Sequence, residues 1–186
     1  NEMGKALKES IGEVEKCAWA LEFYADHGDS FLSDEVLNTD ARKSFLTFEP
    51  LGIIGSIMPW NFPYWQALRF AAPCLMAGNV IVMKPSRITL QSGIEIEKAF
   101  AEAGIPDGIF QTVVGSVDSA NHLIDSEVNA VTFTGSTNAG AKVGERAAAN
   151  LKKCVLELGG SDPFIVLDDA DIETAAQGAA KGRFIN

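Results

Sequence analysis

Four short blocks of this sequence bring together residue types that can do chemistry. In Met58-Pro59-Trp60-Asn61-Phe62-Pro63 a carboxamide stands between prolines that fix the backbone on either side. A rigid loop tipped by an amide can aim an N–H at a fixed point, as stabilising a developing oxyanion requires, although asparagine also suits an ordinary turn. Lys84-Pro85-Ser86-Arg87 offers a lysine that either reaches a sugar hydroxyl or phosphate or stands in solvent. Gly135-Ser136 stands where a helix begins, and free N–H groups and the helix dipole favour an anion there. Ser136 equally serves as a plain N-cap. Glu157-Leu158-Gly159-Gly160 closes an apolar run with a carboxylate. Burying an unpaired charge is costly, so Glu157 reads either as a desolvated general base or as a salt-bridged structural residue.

These blocks need elements that hold them together. The sequence predicts strands over 51–57, 80–83, 110–114, 130–134, 154–158 and 163–167. It predicts helices from Pro63 to about Ala77-Gly78 and over 90–103, 117–125, 137–149 and 171–183. Alternation of this kind specifies an α/β fold, a doubly wound, Rossmann-like parallel sheet with helices on both faces. Ligands bind such sheets at the carboxyl ends of the strands, and each block follows a strand. Ahead of the sheet, residues 3–26 carry apolar groups at helical spacing, which Gly28-Asp29 is expected to break. Residues 42–49 read as an exposed strand, half of a hairpin. The expected division is thus an N-terminal helix over 1–31, an extended segment over 32–50 and a dinucleotide-type domain over 51–186.

Composition narrows the function. The chain has 186 residues and a formal net charge of -10, from 25 acidic and 15 basic residues, which disfavours a nucleic-acid partner. Three cysteines, Cys17, Cys74 and Cys154, form no CxxC pair, so a disulfide framework or zinc site is not expected. They read as core thiols in a reducing, cytoplasmic setting. On a strand, Cys154 and Glu157 point to opposite faces and do not form a nucleophile–base pair. With two histidines, no metal site is expected. No apolar run approaches the roughly 18 residues that cross a membrane, so no membrane partner is expected. Neither GxGxxG nor the P-loop fingerprint occurs.

Taken in order, Pro59-Trp60-Asn61-Phe62-Pro63, Lys84-Pro85-Ser86, Phe133-Thr134-Gly135-Ser136 and Glu157-Leu158-Gly159-Gly160 resemble the aldehyde dehydrogenase superfamily, over nearly the whole chain. The resemblance implies an oxidoreductase acting by thiolate attack, hydride transfer to NAD(P) and thioester hydrolysis. Asn61 matches the oxyanion-binding asparagine and Glu157 the general base that activates water. Lys84, with Ser86 and Arg87 beside it, matches the ribose-binding segment. Gly135 and Ser136 match the pyrophosphate turn. Ile57, Pro59, Trp60, Leu158 and Gly159 match positions around the nicotinamide end. The stretches 62–73 and 157–164 look most like the succinate-semialdehyde dehydrogenase branch, in which an arginine matching Arg69 helps hold the substrate carboxylate.

Two positions depart from the family pattern. Arg87 stands where NAD-preferring members often place a ribose-binding glutamate, so NADP is favoured slightly over NAD. Phe70 replaces a lysine that many members carry and that has been linked to proton relay. The family's nucleophilic Gly-Gln-x-Cys block is expected just past Phe184-Ile185-Asn186. Both ends therefore read as cut, the catalytic domain is expected to be absent, and the chain alone is expected to be inactive. The intact protein is expected to act on a small aldehyde as a homodimer or homotetramer joined through the segment near residues 30–50. Two other readings stand beside this one. One is an inert nucleotide-binding module. The other is an acyl-phosphate reductase cousin, against which Glu157 argues.

Overall fold

A computed structural model describes residues 2–184; Asn1, Ile185 and Asn186, the outermost positions of the expected segments, lie outside the described residues. The elements run α1 (Leu7–Phe31), β1 (Glu35–Val36), β2 (Phe45–Leu46), β3 (Ile53–Ile57), α2 (Pro63–Met76), β4 (Val80–Lys84), α3 (Leu90–Glu102), β5 (Phe110–Thr112), α4 (Val117–Asp125), β6 (Ala130–Thr134), α5 (Thr137–Ala149), β7 (Lys153–Glu157) and α6 (Ile172–Phe184). Five strands form a parallel sheet in the order β5-β4-β3-β6-β7. The chain builds outward from β3 through β4 and β5, then returns to the other side of β3 with β6. The carboxyl ends of β3 and β6 therefore flank the point where the winding reverses, the usual place for a ligand.

Each face of the sheet has its own core. On one, Ile54, Ile81, Met83 and Phe110 pack with Ala67, Ala71 and Cys74 of α2 and Ile96 of α3. α1 lies outside α2 and adds Cys17 to this cluster. On the other, Ile57, Val131 and Phe133 meet Leu123 and Ile124 of α4 and Ala147 of α5. Burial on both faces explains why β3 and β6 read as unbroken apolar runs. As expected of core thiols, Cys17 and Cys74 are buried. Burial pushes both up to about 12, with Glu13 contributing next at Cys17.

Some expectations fail for physical reasons. α1 runs through Gly28-Asp29 to Phe31, because a glycine inside a helix costs only about 1 kcal/mol and tertiary packing favours one here. A Cβ at Gly28 would stand 2.4 Å from Met76 Cε, so α1 approaches the end of α2 where no side chain intervenes. Residues 163–167 form no strand: they pair with no neighbour among the described residues, and Phe164, Ile165 and Leu167 are exposed. A strand is defined by its hydrogen-bonded partner, which an apolar run does not supply alone. The segment 42–49 contributes only Phe45–Leu46, antiparallel to Glu35–Val36. β7 starts and stops one residue earlier than expected, which leaves Leu158 beyond the strand.

Candidate active site

The loop carrying Asn61 leaves β3 at Met58, whose N–H donates to Lys84 O (3.2 Å), and enters α2 at Pro63. Proline suits this first helical position, where its missing N–H has no partner to lose. Asn61 Oδ1 is buried without a hydrogen-bond partner. With Oδ1 turned inward, the Nδ2 end is the one available to the cleft. A buried orphan of this kind costs about 1–3 kcal/mol and is rare unless it serves a function.

β6 ends at Thr134, and α5 starts immediately after Gly135-Ser136. Ser136 caps the helix by accepting from the Ala139 N–H (3.3 Å), and Gly140 N–H returns to Ser136 O (2.9 Å). The N–H groups of Thr137 and Asn138 belong to the first turn, which has no intrahelical acceptors. Gly135 does not add to them, because its N–H donates to Glu157 O (3.0 Å). Two glycines make this corner possible. A Cβ at Gly135 would stand 2.5 Å from the Phe133 ring, and one at Gly140 only 2.2 Å from Leu158 Cδ2. The helix start therefore sits tightly on the ends of β6 and β7.

β7 presents Glu157 at the same edge, in register with Thr134. The expected burial of Glu157 is not found: its side chain is 53% exposed. β7 is the last strand of the sheet and has no neighbour on its outer side among the described residues. Arg69, on α2, approaches Glu157 Oε2 to 3.7 Å through Nη2. The same guanidinium donates from Nε to Gln66 Oε1 (2.8 Å) and from Nη2 to Thr134 Oγ1 (3.4 Å). Cys154, three residues earlier, packs against the buried cluster of Val131, Phe133 and Ala147 on the other face, as the strand period requires.

These parts enclose a cleft of ≈ 420 Å³ that brings Pro59, Trp60, Asn61, Gly135, Ser136, Glu157, Leu158 and Gly159 together with Gln66 and Thr134. A second hollow of ≈ 350 Å³ adjoins it at Thr134 and Glu157 and contains Arg69, Phe70 and Cys74. Ile57 is not on the cleft wall but is buried beneath it. Lys84 is Ile57's register partner on β4, and it is buried, not solvated. Burial holds its ammonium below the ordinary lysine range, with Arg87 a second cause. Ser86 and Arg87 follow on the β4–α3 loop, outside the cleft. Ser86 Oγ accepts from the Ile88 N–H (3.4 Å), and Arg87 is exposed.

Two smaller hollows, near α3 and α1, involve none of these residues. Gln66 and Thr134 are the site residues that the sequence analysis missed. Gln66 lies three residues before Arg69, one helical turn, and that spacing is the signal by which it could have been found.

The donor set suits a dinucleotide. The start of α5 offers N–H groups and a dipole for a pyrophosphate, Lys84 a desolvated cation for a sugar, and Trp60 and Leu158 apolar walls for a ring. Among the described residues no group of histidine, cysteine or carboxylate side chains could hold a metal ion. No helix among the described residues is long and apolar enough to cross a membrane.

The model of the aldehyde dehydrogenase family matches residues 1–186. A Synechocystis protein named "probable succinate-semialdehyde dehydrogenase (NADP(+))" is 49% identical over the whole chain, which covers 41% of that protein. An Escherichia coli succinate semialdehyde dehydrogenase named for NAD(P)+ is 45% identical over the whole chain and 40% covered. The crystal structure of the Streptococcus pyogenes succinic semialdehyde dehydrogenase with NADP+ superposes with a TM-score of 0.90 at 40% identity, over 95% of this chain and 39% of that one. The chain thus spans about two fifths of the length of these relatives.

Proposed function

The chain belongs to the aldehyde dehydrogenase family, and from that premise we propose that it supplies the nicotinamide site, the oxyanion donor and the water-activating base of an enzyme that oxidises succinate semialdehyde to the acid. The observation that carries this reading is the single cleft that joins the Asn61 loop, the start of α5 and Glu157, with Arg69 at its edge. The nicotinamide, when bound, supplies the hydride acceptor.

The chain's own residues bind the cofactor and substrate and move the proton. The first turn of α5 neutralises the pyrophosphate. Lys84 holds a ribose, and Arg87 favours a 2'-phosphate over a bare hydroxyl. Pro59, Trp60, Leu158 and Gly159 exclude water around the ring. Asn61 donates to the aldehyde oxygen as it gains charge. A thiol nucleophile would come from outside residues 2–184, because burial keeps Cys17 and Cys74 protonated and Cys154 faces away. Glu157, exposed to solvent, takes a proton from the water that hydrolyses the acyl group. Arg69 recognises the distal carboxylate of the substrate. The exposed β1–β2 hairpin, with Val36, Phe45 and Leu46, supports assembly of the whole protein into dimers or tetramers.

The test compares kcat/KM of the full-length protein for succinate semialdehyde and for butanal. The charged substrate is expected to win by about tenfold or more, roughly one charged contact. A higher value for butanal would reject the substrate assignment.

A further inference from the structure

Behind the Asn61 loop, outside the cleft lining, lies an ion pair more buried than any other among the described residues. Lys5 Nζ stands 2.6 Å from Glu13 Oε2, with side chains 5% and 3% exposed. An isolated pair in such a place is a poor source of stability, since desolvating two charges consumes most of their attraction. The rest of the geometry shows what it holds. Glu13 Oε1 accepts the backbone N–H groups of Tyr64 and Trp65, each at 2.9 Å. These are free donors of the first turn of α2, whose own N-cap residue, Phe62, offers no side-chain acceptor. The cap therefore comes from α1, about fifty residues away in sequence. Lys5 Nζ lies 3.5 Å from the Phe62 ring centroid, so the cation grips the residue that precedes the helix.

Asn61 is the next residue back. Its loop is tied at entry by the Met58 N–H bond to Lys84 O and at exit by Glu13 and Lys5. We propose that Glu13, with Lys5 as its buried counter-ion, is a positioning residue that fixes the Asn61 carboxamide relative to the cleft. The inference rests on the reading of Asn61 as oxyanion donor. Such a donor tolerates little displacement, because a shift of about 1 Å can cost about a hundredfold in rate. Glu2 offers an internal comparison. Its carboxylate accepts from the N–H groups of Gln91 and Ser92 (both 2.8 Å) and from Ser92 Oγ (2.6 Å). That is the same kind of cap, placed on α3, which contributes no wall to the cleft.

The experiment is steady-state kinetics and amide hydrogen exchange on the full-length protein. Asn61→Ala should lower kcat by about a hundredfold. Glu13→Ala should lower kcat by about tenfold or more, leave both KM values within about twofold, and speed exchange across residues 59–66. Glu13→Gln keeps an acceptor in place and should restore most of kcat. Glu2→Ala should lose thermal stability as a cap mutant does, yet keep kcat within about twofold. In the Asn61→Ala background, Glu13→Ala should have no further effect on kcat. If Glu13→Ala does not fold, Glu13→Asp withdraws the acceptor by one methylene and should lower kcat in the same way. A folded Glu13→Ala or Glu13→Asp with kcat within about twofold of wild type, or a loss additive with Asn61→Ala, overturns the positioning role. A near-normal kcat in Asn61→Ala overturns instead the reading of Asn61, and the inference with it.

Discussion

Arg69 reaches from α2 to within 3.7 Å of the Glu157 carboxylate on β7, and the two residues join the hollow beside α2 to the cleft at the strand ends. Their side chains are 30% and 53% exposed, so solvent screens the pair and its worth is at most about 1 kcal/mol. Gln66 and Thr134 orient the guanidinium, yet none of its partners is a fully desolvated charge. Such an arginine re-partners at little cost when a better carboxylate arrives.

Arg69→Met in the full-length protein is therefore expected to raise KM for succinate semialdehyde by about tenfold and leave KM for butanal within about twofold. Gln66→Leu frees the guanidinium to rotate and should act in the same direction, more weakly. Equal losses on both aldehydes would show that Arg69 works only through Glu157.

Glu157→Gln removes a base and leaves any nucleophile intact. Pre-steady-state absorbance should show a burst of reduced cofactor, followed by turnover slowed by at least about a hundredfold. Loss of the burst would place Glu157 in an earlier step.

Arg87 is exposed beside the buried Lys84, close enough to depress it, and two cations in one neighbourhood suit a 2'-phosphate. The full-length protein should use NADP at least as well as NAD. Arg87→Glu should shift the ratio of kcat/KM values toward NAD by about tenfold, the equivalent of about 1.4 kcal/mol. An unchanged ratio would remove Arg87 from the cofactor site.

The two core thiols give a pH prediction. Burial raises Cys17 and Cys74 from 9.0 to about 12, so the unfolded chain ionises first as pH rises. Stability from these groups is complete below pH 9.0 and declines from there toward pH 12. In urea titrations, Cys17→Ala/Cys74→Ala should be less stable near neutrality but should lose less than wild type between pH 8 and pH 10, within reach of ordinary buffers. Parallel slopes in the two proteins would contradict buried, protonated thiols.

Local patterns determined much of this protein. The helices 117–125 and 137–149 and the strand 130–134 fall where periodicity and punctuation put them, because capping serines, turn glycines and apolar spacing act within a few residues. The parallel sheet followed from alternation, and the four motif blocks followed from their places after strands. The tertiary structure decided whatever depends on partners distant in sequence. Gly28 stays helical because Met76 fills the space beside it. Residues 163–167 pair with no strand among the described residues although they are apolar. Glu157 lies open where the sequence suggested burial, because among the described residues β7 has no neighbour on its outer side. Thr134 and the Glu13 cap on α2 were silent in the sequence for the same reason, whereas Gln66 was legible by its one-turn spacing from Arg69. A hydrogen bond across fifty or more residues leaves no periodic trace, since only the folded chain brings its two ends together.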